Sequence, residues 1–136
     1  HTTIDEIAPP YDGAGGYAAL DGDAHGPAAP AWQYGTEEDD RFYSQNISGS
    51  QRLANGNTLI CDGPAGRFLE VQQDGVLVWE YINPVIDTGV VVQGESVPAG
   101  QNGQANTVFR ATRVSMDHPG LTGRDLTPTG YIEASP

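Results

Sequence analysis

The chain has 136 residues and a formal charge of −12, with 18 acidic side chains against 6 basic ones, all Arg. Nucleic acid and anionic membrane surfaces are poor partners for it, because both require a basic footprint. Eighteen Gly and ten Pro speak for turns over long helices, while 38% hydrophobic residues leave enough for a core.

Residues 1–30 are rich in Gly, Ala and Pro and predict an extended arm, with Thr2-Thr3-Ile4 and Ile7 as a short β-capable stretch. The region 31–136 opens on a strand at Ala31-Trp32-Gln33-Tyr34. Strands are then expected at Ser48 to Leu53, Thr58 to Cys61, Arg67 to Val71 and Val76 to Tyr81. Asn55-Gly56 and Asp74-Gly75 supply tight hairpin turns between them. The stretch 48–82 thus reads as a four-stranded antiparallel meander, the size of one propeller blade. A long connection, 83–105, leads to a further strand over 106–114, and an irregular tail follows.

The apolar pattern of these strands is two-sided. Val76 and Val78 alternate with Leu77, Trp79 and Tyr81, and Leu59 and Cys61 with Ile60. A sheet with one wet face alternates apolar with polar, so this one is expected to be covered on both faces, as a blade is by its neighbours. Trp79 is accordingly expected in a buried position. An echo supports repetition: Trp32-Gln33-Tyr34 recurs as Trp79-Glu80-Tyr81. The fold class expected is all-β, with antiparallel propeller-type blades and irregular arms at both ends.

The run Gln51-Arg52-Leu53-Ala54-Asn55-Gly56-Asn57-Thr58-Leu59-Ile60-Cys61-Asp62-Gly63 is the first of several motifs in a fixed order. Gly66-Arg67-Phe68-Leu69-Glu70-Val71 follows, then Val78-Trp79-Glu80-Tyr81-Ile82-Asn83-Pro84. Together with Val108-Phe109-Arg110-Ala111, Asp117-His118-Pro119-Gly120-Leu121 and Gly123-Arg124-Asp125-Leu126-Thr127-Pro128, they resemble arylsulfotransferase-like β-propeller proteins, in their C-terminal blade region. Gly26-Pro27 leading to Trp32 and Tyr34 belongs to the same resemblance, which covers roughly residues 10 to 128. It implies a propeller and, for the family's enzymes, sulfuryl transfer between phenols through a histidine nucleophile in the channel. In blades carrying that histidine it lies just upstream of the R-L-x-N-G-N run. The matching positions here are Ile47, Ser48, Gly49 and Ser50, and none is His.

No catalytic residue is therefore assigned. Ser48 and Ser50 have no adjacent base, and His118 sits in a Pro-Gly turn suited to a structural role. His1 and His25 are isolated histidines, and a single histidine does not define a metal site. Arg52, Arg110 and Arg113 fall on expected strands, where guanidinium groups bind sulfate or carboxylate in bidentate fashion. Pairing with the abundant carboxylates is the plainer role for them. Asp21 and Asp23 flank Gly22 as a fragment of a calcium loop, so calcium is the cation that this loop or the acidic run 37–40 would take. Glu37 to Asp40 reads as a solvated acidic loop. Asn46-Ile47-Ser48 is an N-glycosylation sequon, meaningful in a eukaryotic secretory source.

No apolar run is long enough to span a bilayer, and no leader pattern opens the chain. The start at His1 suggests a processed form or a piece of something longer. Cys61, the one cysteine, offers no internal disulfide. The acidic, Lys-free composition points to an extracellular or periplasmic setting. The functional expectation is a non-catalytic structural module that associates with itself, or with missing blades, into an oligomer or fibre. The alternative is the C-terminal fragment of an arylsulfotransferase whose catalytic His lies upstream.

Overall fold

The computed structural model describes residues 1–19, 22, 25–36, 43–98 and 105–136. These residues form an all-β protein with no α-helix among them; a 3₁₀ turn occupies Pro119–Leu121. The sheets have two to four strands, without closure into a barrel or propeller among the described residues. The chain divides into two compact units, 1–43 and 44–136.

In the first unit β1 (Ile4–Glu6) pairs antiparallel with β2 (Trp32–Tyr34), placing Ile4 opposite Tyr34, Asp5 opposite Gln33 and Glu6 opposite Trp32. The Gln33 amide donates to the Asp5 carboxylate at 2.6 Å. Trp32 and Tyr34, two apart on one strand, share a face, and their rings stack at 6.2 Å and 11°. Between the strands the chain doubles back at Tyr11 and Tyr17. The Asp12 carboxylate holds this bend by accepting the N–H groups of Ala14 (2.7 Å) and Gly16 (3.0 Å). Those donors hold the Asp12 carboxyl below its usual range. The expected arm over 1–30 thus contains one strand, β1, paired within the chain. It folds back on Trp32–Tyr34, which moves the boundary between units to 43/44, since a β-capable segment satisfies its backbone groups where a partner strand is near.

The second unit is built on the expected meander, β3 (Ser48–Arg52), β4 (Thr58–Asp62), β5 (Arg67–Val71) and β6 (Leu77–Ile82), in the order β3-β4-β5-β6. Gly56 adopts φ +87° in the first hairpin, and Asn55 Oδ1 accepts the N–H of Asn57 at 3.1 Å to close the turn. Paired positions share a face. One face carries the rows Gly49–Cys61–Phe68–Tyr81 and Gln51–Leu59–Glu70–Trp79; the other carries Ser50–Ile60–Leu69–Glu80 and Arg52–Thr58–Val71. A bulge follows Glu70, pairing Val71 with Leu77 and skipping Val78. Leu77 thus leaves the face of Trp79 and Tyr81, against the expected alternation.

Burial is uneven across this sheet. Every residue of β4 is buried, with Ile60, Cys61, Leu69 and Val71 forming the centre of the core. The outer strand β6 is open: Leu77, Val78, Trp79 and Ile82 are 40–49% exposed. The expectation of cover on both faces holds for β4 and fails for β6. The expected burial of Trp79 is corrected: β6 is the outer strand of its sheet, and Trp79 is 40% exposed.

The expected strand over 106–114 is corrected as well: this segment pairs with no strand. It crosses the Leu59–Cys61 face, and its backbone is held by loop and side-chain groups. Val108 N–H donates to Gly63 C=O at 2.9 Å, and Cys61 Sγ lies 3.9 Å from Val108 C=O. Asn83 and Asn106 exchange side-chain-to-carbonyl bonds at 3.1 and 3.0 Å. The expected connection 83–105 contains a small hairpin, β7 (Val85–Ile86) with β8 (Gly89–Val90). Beyond it, Val92 bridges to Ala134 in the C-terminal tail.

Candidate functional site

Crossing the sheet face brings Arg110 and Arg113 over it. Arg113 is the better defined of the two. Its guanidinium pairs with the Glu70 carboxylate and lies 5.1 Å from the centroid of the Trp79 ring. Trp79 stacks on Tyr81 at 6.1 Å and 4°, and Tyr81 stacks on Phe68 at 5.8 Å and 9°. The result is a row of one cation and three rings along one face of β5 and β6. Such cation–ring contacts favour a weakly hydrated guanidinium. The groove beside this row has a volume of about 400 Å³ and is bordered by Leu59, Ala111 and Thr112.

Glu70 is the buried centre of the cluster, with 8% of its side chain exposed. One carboxylate oxygen accepts the amides of Asn57 (2.7 Å) and Asn55 (3.1 Å), and the other accepts Arg113 Nη1. A buried charge needs this degree of pairing. The Asn57 and Asn55 amides, followed by Arg113, hold its carboxyl below the usual range. A carboxylate so held stays ionised at neutral pH, which suits an anchor and does not suit a general acid.

The three arginines do not form one anion clamp. Arg52 lies in the row on the opposite sheet face, and its Nη1 donates to Gly56 C=O at 2.9 Å, bracing the hairpin. Arg110 is exposed beside Gly49. Arg113 has its charge balanced by Glu70. The ion-pair role set against anion binding above describes Arg113.

Cys61 is 1% exposed, and burial pushes its thiol pKa up, so it is an inert core thiol. Asp62 is also buried. Burial raises its pKa against the opposing pull of Ser44, whose Oγ donates to it at 2.9 Å, and of the Arg67 charge. Ser48 and Ser50 are exposed on β3. His118 caps the 3₁₀ turn, its Nδ1 accepting Gly120 N–H at 3.0 Å. Asn46 is exposed ahead of β3, next to Ile47 with φ +39°. Asp21 and Asp23 lie outside the described residues, as does the run Glu37 to Asp40. Among the described residues no three metal-ligating side chains gather in one place.

Reading the sequence missed Glu70, Asn55 and Asn57 as a cluster. The asparagines carry a strong turn signal that hides their second role, and Arg113 arrives from 43 residues away.

Comparison with known proteins gives no match to any family model, curated protein or solved structure.

Proposed function

We propose that the chain is a non-catalytic assembly module, a blade-like sheet that completes its cover by association. The observation that carries this reading is β6, an edge strand with Leu77, Val78, Trp79 and Ile82 all about half exposed. Fully burying such a side chain is worth roughly 1.5–3 kcal/mol, so covering four half-exposed ones contributes several kcal/mol to an interface. Exposed apolar patches and open sheet edges mark interaction sites. The chemistry of the face agrees. Its thiol is buried, its central carboxylate is held ionised by fixed partners, and its stacked arginine is already paired. These groups suit the support of a surface better than turnover of a substrate.

Sedimentation velocity over a wide concentration range tests the proposal, at low and at high salt. Concentration-dependent association supports it, whereas a 14.4 kDa monomer under every condition rejects it. Turnover of an aryl sulfate by the purified chain rejects the non-catalytic assignment. A source polypeptide several times this mass transfers the cover of β6 to further blades of the same chain.

A further inference from the structure

The turn between β3 and β4 is built on Asn55-Gly56, a dipeptide whose asparagine side chain is open to attack by the next backbone nitrogen. Gly56 has no side chain to shield that nitrogen, and even a Cβ there would meet open space. Three hydrogen bonds engage the groups that would react. Asn55 Oδ1 accepts the N–H of Asn57 at 3.1 Å, its Nδ2 donates to Glu70 Oε1 at 3.1 Å, and Gly56 N–H donates to Leu53 C=O at 3.0 Å. The reactive amide is thus one of the groups that hold the buried Glu70 carboxylate.

We propose that Asn55 is a deamidation site that the fold keeps closed, and that its conversion turns a donor to Glu70 into a second carboxylate. In the reaction the Gly56 nitrogen gives its proton to a solvent base and attacks Asn55 Cγ. A new C–N bond closes the succinimide ring, the Cγ–Nδ2 bond breaks, and ammonia leaves with a proton taken from water. A water molecule then reopens the ring at either of its carbonyls. Attack at Cγ gives aspartate. Attack at the main-chain carbonyl carbon gives isoaspartate, whose backbone runs through the former side chain and is longer by one carbon. Water is the co-reactant, and no electrons change hands.

Ring closure requires Gly56 N–H to leave Leu53 and the Asn55 amide to leave Glu70 and Asn57, so the reaction runs through local opening of the hairpin. Afterwards Glu70 keeps the Asn57 amide and Arg113, but a like charge stands where a donor stood. Isoaspartate also lengthens the loop that sets Arg52 opposite Thr58. Either product favours further opening, and neither returns to asparagine. The hairpin thereby keeps an irreversible record of having opened, whether or not the chain associates.

The test ages the full-length chain at mildly alkaline pH, with and without urea, and follows conversion by mass spectrometry of tryptic peptides. Trypsin isolates Asn55 on the peptide 53–67, apart from the other Asn-Gly pair at 102–103. In urea Asn55 is expected to convert about as fast as Asn102; in buffer it should convert about tenfold or more slowly, as a site that reacts through local opening. Equal rates for Asn55 in buffer and urea overturn the protection. No conversion of Asn55 in urea while Asn102 converts overturns the site itself. The consequence is read on Asn55→Asp, which keeps the acceptor for Asn57 and loses the donor to Glu70. It is expected to lower the folding equilibrium constant roughly tenfold at neutral pH, and to cost little in a Glu70→Gln background. Equal losses in the two backgrounds overturn the coupling to Glu70. If Asn55→Asp does not fold alone, folding of the double variant supports the proposal and its failure to fold overturns it.

Discussion

The side-chain amide of Gln51 closes a ring with the backbone of Arg113: Arg113 N–H donates to Oε1 at 2.8 Å, and Nε2 donates to Arg113 C=O at 3.0 Å. Gln51 thereby offers the crossing segment the donor and acceptor that a neighbouring strand would offer. That is why 106–114 lies over the sheet without belonging to it. The same residue fixes the point from which Arg113 reaches Glu70 and Trp79.

Replacing Gln51 with Ala is expected to cost about 1–2 kcal/mol, the net worth of two partly exposed hydrogen bonds. Urea denaturation measures the loss. Release of Arg113 should also shift the fluorescence of Trp79, so an unchanged spectrum would show that the segment keeps its place without Gln51.

Glu70 and Asp62 should give the protein opposite pH dependences. The Glu70 pKa is lowered on folding, so its contribution is present above the unfolded value near 4.5 and is lost as pH falls through the folded value. Asp62 is raised, so the folded state binds more protons than the unfolded state above pH 3.8, and stability falls as pH rises through that window. Glu70→Gln is expected to flatten the acid side of the stability curve, and Asp62→Asn to raise stability at neutral pH. Melting temperatures from pH 3 to 7 decide both signs.

Trp79→Ala should cost about 1–2 kcal/mol in the isolated chain, since the side chain is only partly buried and its contact with Arg113 is a modest term. Leu69→Ala, in the core, should cost roughly 2–5 kcal/mol. Equal losses in urea would mean that Trp79 is packed as a core residue. Self-association should respond in the reverse order, with Trp79→Ala weakening it more.

Gly63 and Gly56 make a contrasting pair. A Cβ on Gly63 runs into the carbonyl oxygens of Ile47 and Val108, both backbone atoms, whereas a Cβ on Gly56 meets open space and suffers only from φ +87°. Gly63→Ala is expected to destabilise by about 3 kcal/mol or more, and Gly56→Ala by roughly 1–2 kcal/mol. Thermal melts of the two variants, side by side, check the ranking.

The meander was legible because its signals are local. Asn55-Gly56 and Asp74-Gly75 place the turns, the expected strands fall within a residue or two of β3 to β6, and β4 to β6 carry β-branched and aromatic residues. The bulge was not legible: nothing in Val76-Leu77-Val78 marks which residue is skipped, yet the skip decides the face of Leu77. The pattern Val108 to Val114 reads as a strand on propensity alone, and only the distant Gln51 and Gly63 make it a crossing segment. Apolar alternation in β6 shows a strand suited to cover on two sides. It carries no information on whether the covering surface belongs to the same chain.

The contact between Gly63 and Val108 ties the crossing segment to the loop between β4 and β5, a loop that exists only once those strands have paired. Each hairpin of the meander closes over a handful of residues, whereas Gln51 and Arg113 stand 62 apart. Short-range closure is fast and long-range closure is slow. Order of formation follows from this geometry: the sheet assembles first, and residues 106–114 dock afterwards onto a finished surface. In the interval Leu59 and Phe68 are open to water beside Trp79. The nascent protein is at its most adhesive after its strands have formed and before its last segment has crossed them.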